Sequence, residues 1–306
     1  MFAPPPELQT ETLAVLPPEL SRAGRPTEWS FGKPNREMGS FLEGPCVDRD
    51  GSLLVTDIPF GRIFRVDSGG GFHLVAEYDG EPNGMAIHRD GTLYVTDHRN
   101  GLVTVNPATG AHAVLQRRLR REAFKGVNDL TFDSQGNLYF TDQGQTGMQD
   151  PTGRVYRRAP DGAVDLLIDN VPSPNGLVLS PDERTLYLAV TRANQIWRLP
   201  LHDDGSTTKV GVFLQLQGGL SGPDGLAMDS EGNLVVCHCG LGTVWLFSPL
   251  GEPLYRIRSC AGLDTTNAAF GGPDNKTLFI TESATGTILT AEMPFPGHTL
   301  YSHRDA

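Results

Sequence analysis

The chain has 306 residues and a formal net charge of −11, with 38% hydrophobic and 20% charged residues. This balance is typical of a soluble globular protein and argues against a largely disordered chain. A nucleic-acid partner is disfavoured, because the acidic charge is spread along the chain and the one basic cluster has no interleaved aromatic residues. That cluster comprises Arg117, Arg118, Arg120 and Arg121.

Neither the N-terminus nor the cysteines indicate export. The opening MFAPPPELQTE lacks a basic segment followed by an apolar stretch, and no run of 18 apolar residues occurs. The spacing of the four cysteines matches no zinc-ligand set. They are Cys46, Cys237, Cys239 and Cys260. We therefore expect reduced thiols in a cytoplasmic protein with no membrane partner, and the sequence does not indicate an oligomeric state.

The chain begins with a segment that precedes any repeated pattern. Residues 12–16 (TLAVL) are predicted to form a strand. The stretch 17–42 is rich in Pro and Gly and contains no repeat phrase. It is predicted to be either a long connection or a lid lying over one face of the molecule.

A phrase of turn residues followed by a β-rich run then recurs six times. Successive copies, measured between equivalent leucines, are 40, 45, 48, 48 and 44 residues apart. This is the spacing of one propeller blade per copy. The copies are DRDGSLLVTD (48–57), HRDGTLYVTD (88–97), DSQGNLYFTD (133–142), SPDERTLYLAV (180–190), DSEGNLVVCH (229–238) and GGPDNKTLFITE (271–282).

The repeats predict an all-β protein, a six-bladed β-propeller with four-stranded blades that forms a single domain over residues 1–306. A propeller closes its ring when a strand from one terminus completes a blade begun at the other. Residues 12–16 and 298–303 are both candidates for that strand. In the first blade, strands are expected at 44–48, 53–56, 62–66 and 72–77.

Each innermost strand opens with an acid or an amide, ten or eleven residues before the aligned leucine. The six positions are Glu43, Asn83, Asn128, Asn175, Asp224 and Asn267. The starts of the innermost strands face the central channel, so we expect these side chains to converge there. Two carboxylates among four carboxamides would repel each other unless a cation lay between them. Oxygen ligands suit a hard divalent ion. The alternative is that Asn and Asp recur because they form local turns.

These residues carry a resemblance, over nearly the whole chain, to the gluconolactonase/regucalcin (senescence marker protein) superfamily. The phrases EGP, VND, PNG and PDG follow in the family's order, and NDLTFDSQGNLYFTD resembles the drug-responsive lactonase branch. The resemblance implies one divalent metal, with Ca²⁺ first and Mg²⁺, Mn²⁺, Zn²⁺ or Fe²⁺ as alternatives. Its implied ligands are Glu43, Asn128, Asn175 and Asp224. It also implies hydrolysis of a small-molecule lactone, with Asp224 as general base or nucleophile.

Three further residues are candidates for contact with the substrate. Asn83 and Asn267 belong to the polar ring, and His238 follows a repeated second strand. The alternatives are amides satisfied by blade backbone and an ordinary, partly exposed histidine. Sugar-lactonase members of the resembled family have an Arg where this chain has Gly126, which argues against a simple aldonolactone as the substrate.

Two other functions would use the same features. A phosphotriesterase-type hydrolase would need the same ion, which polarises a phosphoryl oxygen as readily as a carbonyl. A propeller with a structural ion would instead serve as an interaction platform. The recurrent Thr-Asp endings, at Asp57, Asp97 and Asp142, are predicted to cap turns, since the same acid in three blades indicates a structural role.

Overall fold

The computed structural model describes residues 3–31, 33 and 37–304, and there the regular structure is almost entirely β-sheet. Within these ranges no helix has the length and apolar character needed to span a membrane. The short 3₁₀ turns are Pro18–Leu20, Ile58–Phe60, Thr191–Ala193 and Tyr301–His303. The strands, in chain order, are β1 (Glu7–Gln9), β2 (Glu11–Val15), β3 (Leu42–Val47), β4 (Leu53–Asp57), β5 (Arg62–Val66), β6 (Phe72–Glu77), β7 (Pro82–Ile87), β8 (Leu93–Asp97), β9 (Gly101–Val105), β10 (His112–Gln116), β11 (Arg118–Leu119), β12 (Glu122–Ala123), β13 (Val127–Phe132), β14 (Leu138–Asp142), β15 (Gly153–Arg158), β16 (Val164–Val171), β17 (Pro174–Leu179), β18 (Thr185–Val190), β19 (Gln195–Pro200), β20 (Gly211–Gln215), β21 (Gly222–Met228), β22 (Leu234–Cys239), β23 (Thr243–Phe247), β24 (Pro253–Arg258), β25 (Thr265–Gly271), β26 (Thr277–Glu282) and β27 (Thr287–Glu292).

Six antiparallel sheets form a ring, which confirms the predicted six-bladed β-propeller. Blades one to five are β3–β6, β7–β10, β13–β16, β17–β20 and β21–β24, and blade six contains β25–β27. The first strand of each blade contacts the first strand of the next, and β25 returns to contact β3. These six strands therefore surround the axis, and the small β11–β12 hairpin lies outside the blades.

The N-terminus closes the ring. Strand β2 pairs antiparallel with β27 as the fourth strand of blade six, with Ala14 opposite Ile288. Strand β1 pairs parallel with β24 and adds a fifth strand to blade five. Of the two candidates for closure, 12–16 is therefore correct and 298–303 is not. One N-terminal segment therefore supplies the outermost strand of both blades through main-chain pairing.

The C-terminal segment instead crosses the end of the channel opposite the ring of acids and amides. The Tyr301 ring stacks on Phe132 with centroids 5.0 Å apart, and the Arg89 guanidinium lies 4.4 Å from the Tyr301 ring centroid. Arg49 Nε donates to the carbonyl oxygen of Ser302 at 2.6 Å. The segment also contacts blade four through the Arg304–Glu183 salt bridge and blade five through the His298 N–H, which donates to the carbonyl oxygen of Met228. It therefore covers that end of the channel.

The core consists of six hydrophobic clusters, one at each junction between neighbouring blades. The cluster between blades one and two, for example, packs Leu54 and Ile63 against Met85 and Val95. The corresponding cluster between blades six and one includes Ala14 of the closing strand. Every blade buries both of its faces against neighbours, so the stability of each blade depends on a complete ring.

The Thr-Asp endings hold the innermost strands in place, in agreement with the structural role predicted for them. The Asp57 carboxylate accepts from the Phe41 N–H at 2.8 Å, and Asp142 accepts from the Gly126 N–H at 2.8 Å. The hydroxyl of Thr56 donates to the carbonyl of Asn83 in the next blade at 2.6 Å. The acid therefore fixes the start of its own innermost strand, and the threonine ties that blade to the following one.

The closing strand can be tested by placing a charge at its buried position. Ala14 is 5% exposed, whereas its neighbour Val15 is 54% exposed. Ala14→Asp should lower the free energy of unfolding by about 3–5 kcal/mol, because the new carboxylate is buried without a partner. The control Val15→Asp should cost about 1 kcal/mol or less. Equilibrium urea unfolding measures both, and equal losses would show that β2 does not close the ring.

Candidate metal and substrate site

All six innermost strands carry a β-bulge or register irregularity at the polar ring. The irregularities fall at Glu43/Cys46, Pro82/Met85, Val127/Leu130, Pro174/Leu177, Pro223/Leu226 and Thr265/Asn267. A bulge breaks the strict alternation of side chains and re-aims one of them. The repeated phrase therefore sets the direction of these side chains as well as their position along the strand.

Most of the predicted ring lines one cavity, which we call the upper cavity. It has a volume of about 510 Å³. The four predicted metal ligands and Asn83 all contribute to its wall. Glu43 is 4% exposed and Asn175 is 7% exposed, while Asp224 keeps intermediate access to solvent. The structure thus brings Glu43, Asn128, Asn175 and Asp224 to one surface, although they come from four different blades.

Asn267 lies on the other side of the ring, in a second cavity of about 140 Å³ that we call the lower cavity. Its Nδ2 donates to Glu43 Oε2 at 3.0 Å and approaches Asp129 Oδ2 at 3.4 Å. The C-terminal segment, including Tyr301, covers this cavity. Asn267 therefore supports Glu43 from below, and its contact with a substrate remains a prediction.

Asp129 is a third axial acid that the sequence reasoning missed. The residue after each ring member is Gly or Ala in five blades and Asp129 in the third. The innermost strands approach so closely that a Cβ on Gly176 would lie 2.3 Å from the carbonyl oxygen of Asp224. A Cβ on Gly84 would lie 2.4 Å from Asp129 Oδ1. The signal available in the sequence was a single acid at a position where the other five blades have Gly or Ala. The Asp129 side chain occupies the crowded space at the axis.

The three axial acids oppose one another electrostatically. Burial raises the pKa of the Glu43 carboxyl. Burial, and then the charge of Glu43, raise the pKa of Asp224 well above its usual range. The same two causes raise the pKa of Asp129 to about 7. No arginine or lysine of the described chain forms a salt bridge with any of the three.

Asn128 is oriented by a hydrogen-bonded chain that the sequence did not reveal. Its Nδ2 donates to Gln143 Oε1 at 3.0 Å, and Gln143 Nε2 donates to Ser173 Oγ at 3.0 Å. The amide nitrogen of Asn128 is therefore engaged within the wall, which leaves the carbonyl oxygen as the group available in the cavity. The Asn175 side chain lies near the Asp224 carboxylate and lowers its pKa, against the larger effect of burial.

His238 does not reach the upper cavity. It is fully buried, its Nε2 lies 3.1 Å from the carbonyl oxygen of Gly218, and its Nδ1 accepts from Trp245 Nε1 at 3.4 Å. Both ring nitrogens are thus engaged by protein groups, as expected of a buried polar side chain. Its predicted contact with substrate is untested, and the geometry gives no route to one.

His98 lies in the upper cavity instead, in a space that Gly126 leaves open. A Cβ on Gly126 would lie 2.3 Å from His98 Cε1. The imidazole lines the cavity, and burial lowers its pKa, which favours the neutral ring. Because Gly126 has no side chain, His98 of the neighbouring blade can occupy the space beside it.

The segment between β2 and β3 forms one side of the cavity mouth. Trp29, Phe31, Lys33 and Phe41 line the cavity. The Trp29 and Phe41 rings are 4.7 Å apart, and the Lys33 ammonium lies 4.2 Å from the Trp29 ring centroid. This part of the connection is thus packed over the channel entrance rather than extended into solvent.

The donor set fits a hard divalent cation. Two carboxylates without a cationic partner and two amide side chains face one cavity, and their oxygens are the ligands that Ca²⁺ and Mg²⁺ prefer. Among the described residues, no group of three or more His, Cys, Asp or Glu side chains is placed to hold a metal ion. A metal held here would therefore depend on the amide oxygens of Asn128 and Asn175 as well.

Solved propellers share this architecture. A gluconolactonase from Xanthomonas campestris superposes with a TM-score of 0.74 at 23% identity, covering 96% of this chain and 99% of that chain. A protein described as calcium-binding, regucalcin from Agrobacterium tumefaciens, superposes with a TM-score of 0.73 at 23% identity, with the same coverage of both chains. At this level of identity, the likeness concerns the fold.

Sequence relatives are closer. A gluconolactonase from Zymomonas mobilis is 32% identical over 272 residues, covering 79% of this chain and 76% of that protein. A lactonase drp35 from Staphylococcus aureus is 34% identical over 232 residues, covering 72% of this chain and 70% of that protein. The family model described as SMP-30/Gluconolactonase/LRE-like region matches residues 41–284. The chain therefore belongs to the SMP-30/gluconolactonase/LRE-like family.

Proposed function

We propose that the protein is a metal-dependent hydrolase that opens the ring of a small lactone. Glu43, Asn128, Asn175 and Asp224 hold one divalent cation, for which Ca²⁺ is the first candidate, and Asp224 acts as general base or nucleophile. The relatives named gluconolactonase and lactonase support a lactone as the substrate. The relative named as calcium-binding supports a divalent cation.

The observation that carries the proposal is the pair of acids on one cavity wall that form no salt bridge with a described basic residue. Burial and the charge of Glu43 raise the pKa of Asp224, so a metal-free site makes its ionised form less favourable. A bound divalent cation would reverse this preference and supply Lewis-acid polarisation of the carbonyl oxygen. Glu43 contributes charge and geometry, and the Asn267 amide holds its Oε2 from the lower side.

The position of Asp224 supports a role in handling the proton of the attacking water. It lines the upper cavity with intermediate solvent access, whereas Glu43 is nearly closed off from solvent. The Asn175 side chain lies near this carboxylate and favours its charged form. A carboxylate that binds through one oxygen keeps the other for taking a proton or for direct attack on the carbonyl. Asn83, on the same wall, is in a position to contact the ring of the substrate.

Metal content tests the ligand set. Asn175→Ala removes a neutral ligand, and Glu43→Gln removes a negative charge, so Glu43→Gln should weaken binding more. Both variants should keep the β-rich circular dichroism spectrum of the parent. Calcium titration with elemental analysis measures the bound metal. Asn106→Ala, in an outer turn of blade two, is the matched control. Metal content in Asn175→Ala equal to that of the parent would remove Asn175 from the ligand set.

The pH dependence of stability tests the axial charges. Because the pKa of Asp129 is about 7 in the folded chain and about 3.9 when unfolded, its contribution is fully present below pH ~4. It is then lost as the pH rises through about 7. In the presence of chelator, the parent should therefore lose up to about 4 kcal/mol relative to Asp129→Asn between those limits. Equilibrium unfolding at a series of pH values measures this difference.

The control for that series is Asp161→Asn, an exposed acid in a turn of the same blade. Its unfolding free energy should follow the parent at every pH. If Asp129→Asn also follows the parent, burial and the charge of Glu43 do not raise the pKa of Asp129 in the metal-free protein.

Turnover tests the role of Asp224. Asp224→Asn keeps the size and one ligating oxygen but removes the basic oxygen. With metal saturated, kcat on the best substrate of a lactone and phosphotriester panel should fall by roughly 10²–10⁴-fold. Asn83→Ala should change KM more than it changes metal content. A fully loaded Asp224→Asn within about threefold of the parent, under about 0.7 kcal/mol in barrier, would show that Asp224 is not the base.

A further inference from the structure

Two basic side chains share the upper cavity with the two acids of the proposed metal site. Among the described residues, the charged side chains that line it are Glu43 and Asp224 on one hand, and Lys33 and Arg192 on the other. Neither base forms a salt bridge with a described carboxylate. Both are therefore available to a ligand in the cavity.

Lys33 is held by aromatic rings rather than by an acid. Its ammonium lies 4.2 Å from the centroid of Trp29 and 5.5 Å from that of Phe41. Burial lowers its pKa, and the nearby charge of Asp224 partly offsets this effect. Aromatic faces stabilise a cation without neutralising it. The connection between β2 and β3 thus presents a partly dehydrated positive charge to the cavity.

Arg192 approaches the same cavity from blade four. It lies in the turn Thr191–Ala193 that follows β18, and it is exposed. Arg192 and Lys33 are close enough for the charge of Arg192 to lower the pKa of Lys33. Two like charges in one cavity repel each other, and an anion between them relieves that repulsion.

The charge count favours an anion once the proposed ion is bound. The two acids and two bases of the described lining balance each other. A divalent cation held by Glu43 and Asp224 would leave the lining with a surplus of two positive charges, of which the Asp129 carboxylate below the ring would offset one. Cavities lined by one sign of charge concentrate ligands of the opposite sign. A substrate carboxylate carries one negative charge, which matches the surplus that remains.

On the basis of the proposed function, we propose that the substrate is a lactone bearing a free carboxylate. Lys33 and Arg192 bind this carboxylate. Trp29 and Phe41 beside Lys33 provide an apolar face for the lactone ring. Water opens such a lactone to a hydroxy dicarboxylate. The substrate class is therefore set by two cations outside the metal ligands.

A matched pair of lactones tests this assignment. γ-Butyrolactone is neutral, and γ-butyrolactone-γ-carboxylate has the same ring with one added carboxylate. With metal saturated, the parent should prefer the carboxylate lactone by at least about tenfold in kcat/KM. Lys33→Met should reduce this preference by roughly 10–100-fold, because a charge-assisted hydrogen bond is lost. Arg192→Gln should reduce it less, by roughly 3–10-fold, since Arg192 is exposed and screened.

Two controls separate charge from folding. Arg184→Gln removes an exposed arginine at the opposite end of β18 and should leave the preference unchanged. Lys33→Arg keeps the charge and should retain most of the preference. Thermal melting and metal content must match the parent in each variant. If Lys33→Met and Lys33→Arg lose the preference equally while both remain folded and loaded, the charge of Lys33 is not the cause.

Product binding gives a readout that does not depend on turnover. The hydrolysis products are 2-hydroxyglutarate and 4-hydroxybutyrate, and calorimetry on the metal-loaded protein should show the first binding at least about tenfold more tightly. Lys33→Met should abolish most of that difference. If neither lactone is hydrolysed but the binding difference depends on Lys33 and Arg192, the anion site stands and the lactonase proposal fails. If both lactones are hydrolysed equally and neither variant changes the ratio, the anion site is overturned and the lactonase proposal stands.

Discussion

The close approach of the six innermost strands at the axis is the constraint on which the site depends. A Cβ on Gly44 would lie 2.3 Å from the carbonyl oxygen of Asn83, and one on Gly225 would lie 2.1 Å from Asn267 Oδ1. Only small residues fit after the ring members, with Asp129 as the exception. This crowding, together with the bulges of the innermost strands, leaves the ring side chains few directions other than the channel. Packing between backbones therefore produces the convergence of polar groups.

The same crowding creates an electrostatic cost that the fold does not remove by itself. Glu43, Asp129 and Asp224 lie near one axis, and burial raises the pKa of all three. Asn267 donates hydrogen bonds to Glu43 and Asp129 but supplies no charge. Isolated carboxylates in such a place persist where a cation binds or where protons are taken up. The same axial carboxylates are therefore expected to determine both the metal affinity and the pH dependence of the free energy of unfolding.

The two ends of the channel differ because the two termini cover different places. The N-terminal strands β1 and β2 add the outermost strands of blades five and six. The connection that follows β2 contributes Trp29 and Lys33 to the mouth of the upper cavity. The C-terminal segment covers the lower cavity with Tyr301. One end is consequently polar and open to ligands, and the other is largely apolar and covered.

The sequence by itself determined the number of blades, their strands and the register of the polar ring, because these features repeat locally. In the first blade, all four strands lie within two residues of the expected bounds. The placement of His238, the space beside Gly126 that His98 occupies, the choice of the closing strand and the entry of Lys33 into the cavity were decided only by the tertiary structure. Asp129 stood out in the sequence, but its position at the axis could be recognised only from the close approach of the innermost strands. Each of these features arises where residues distant in the chain meet, and local periodicity carries no information about such contacts.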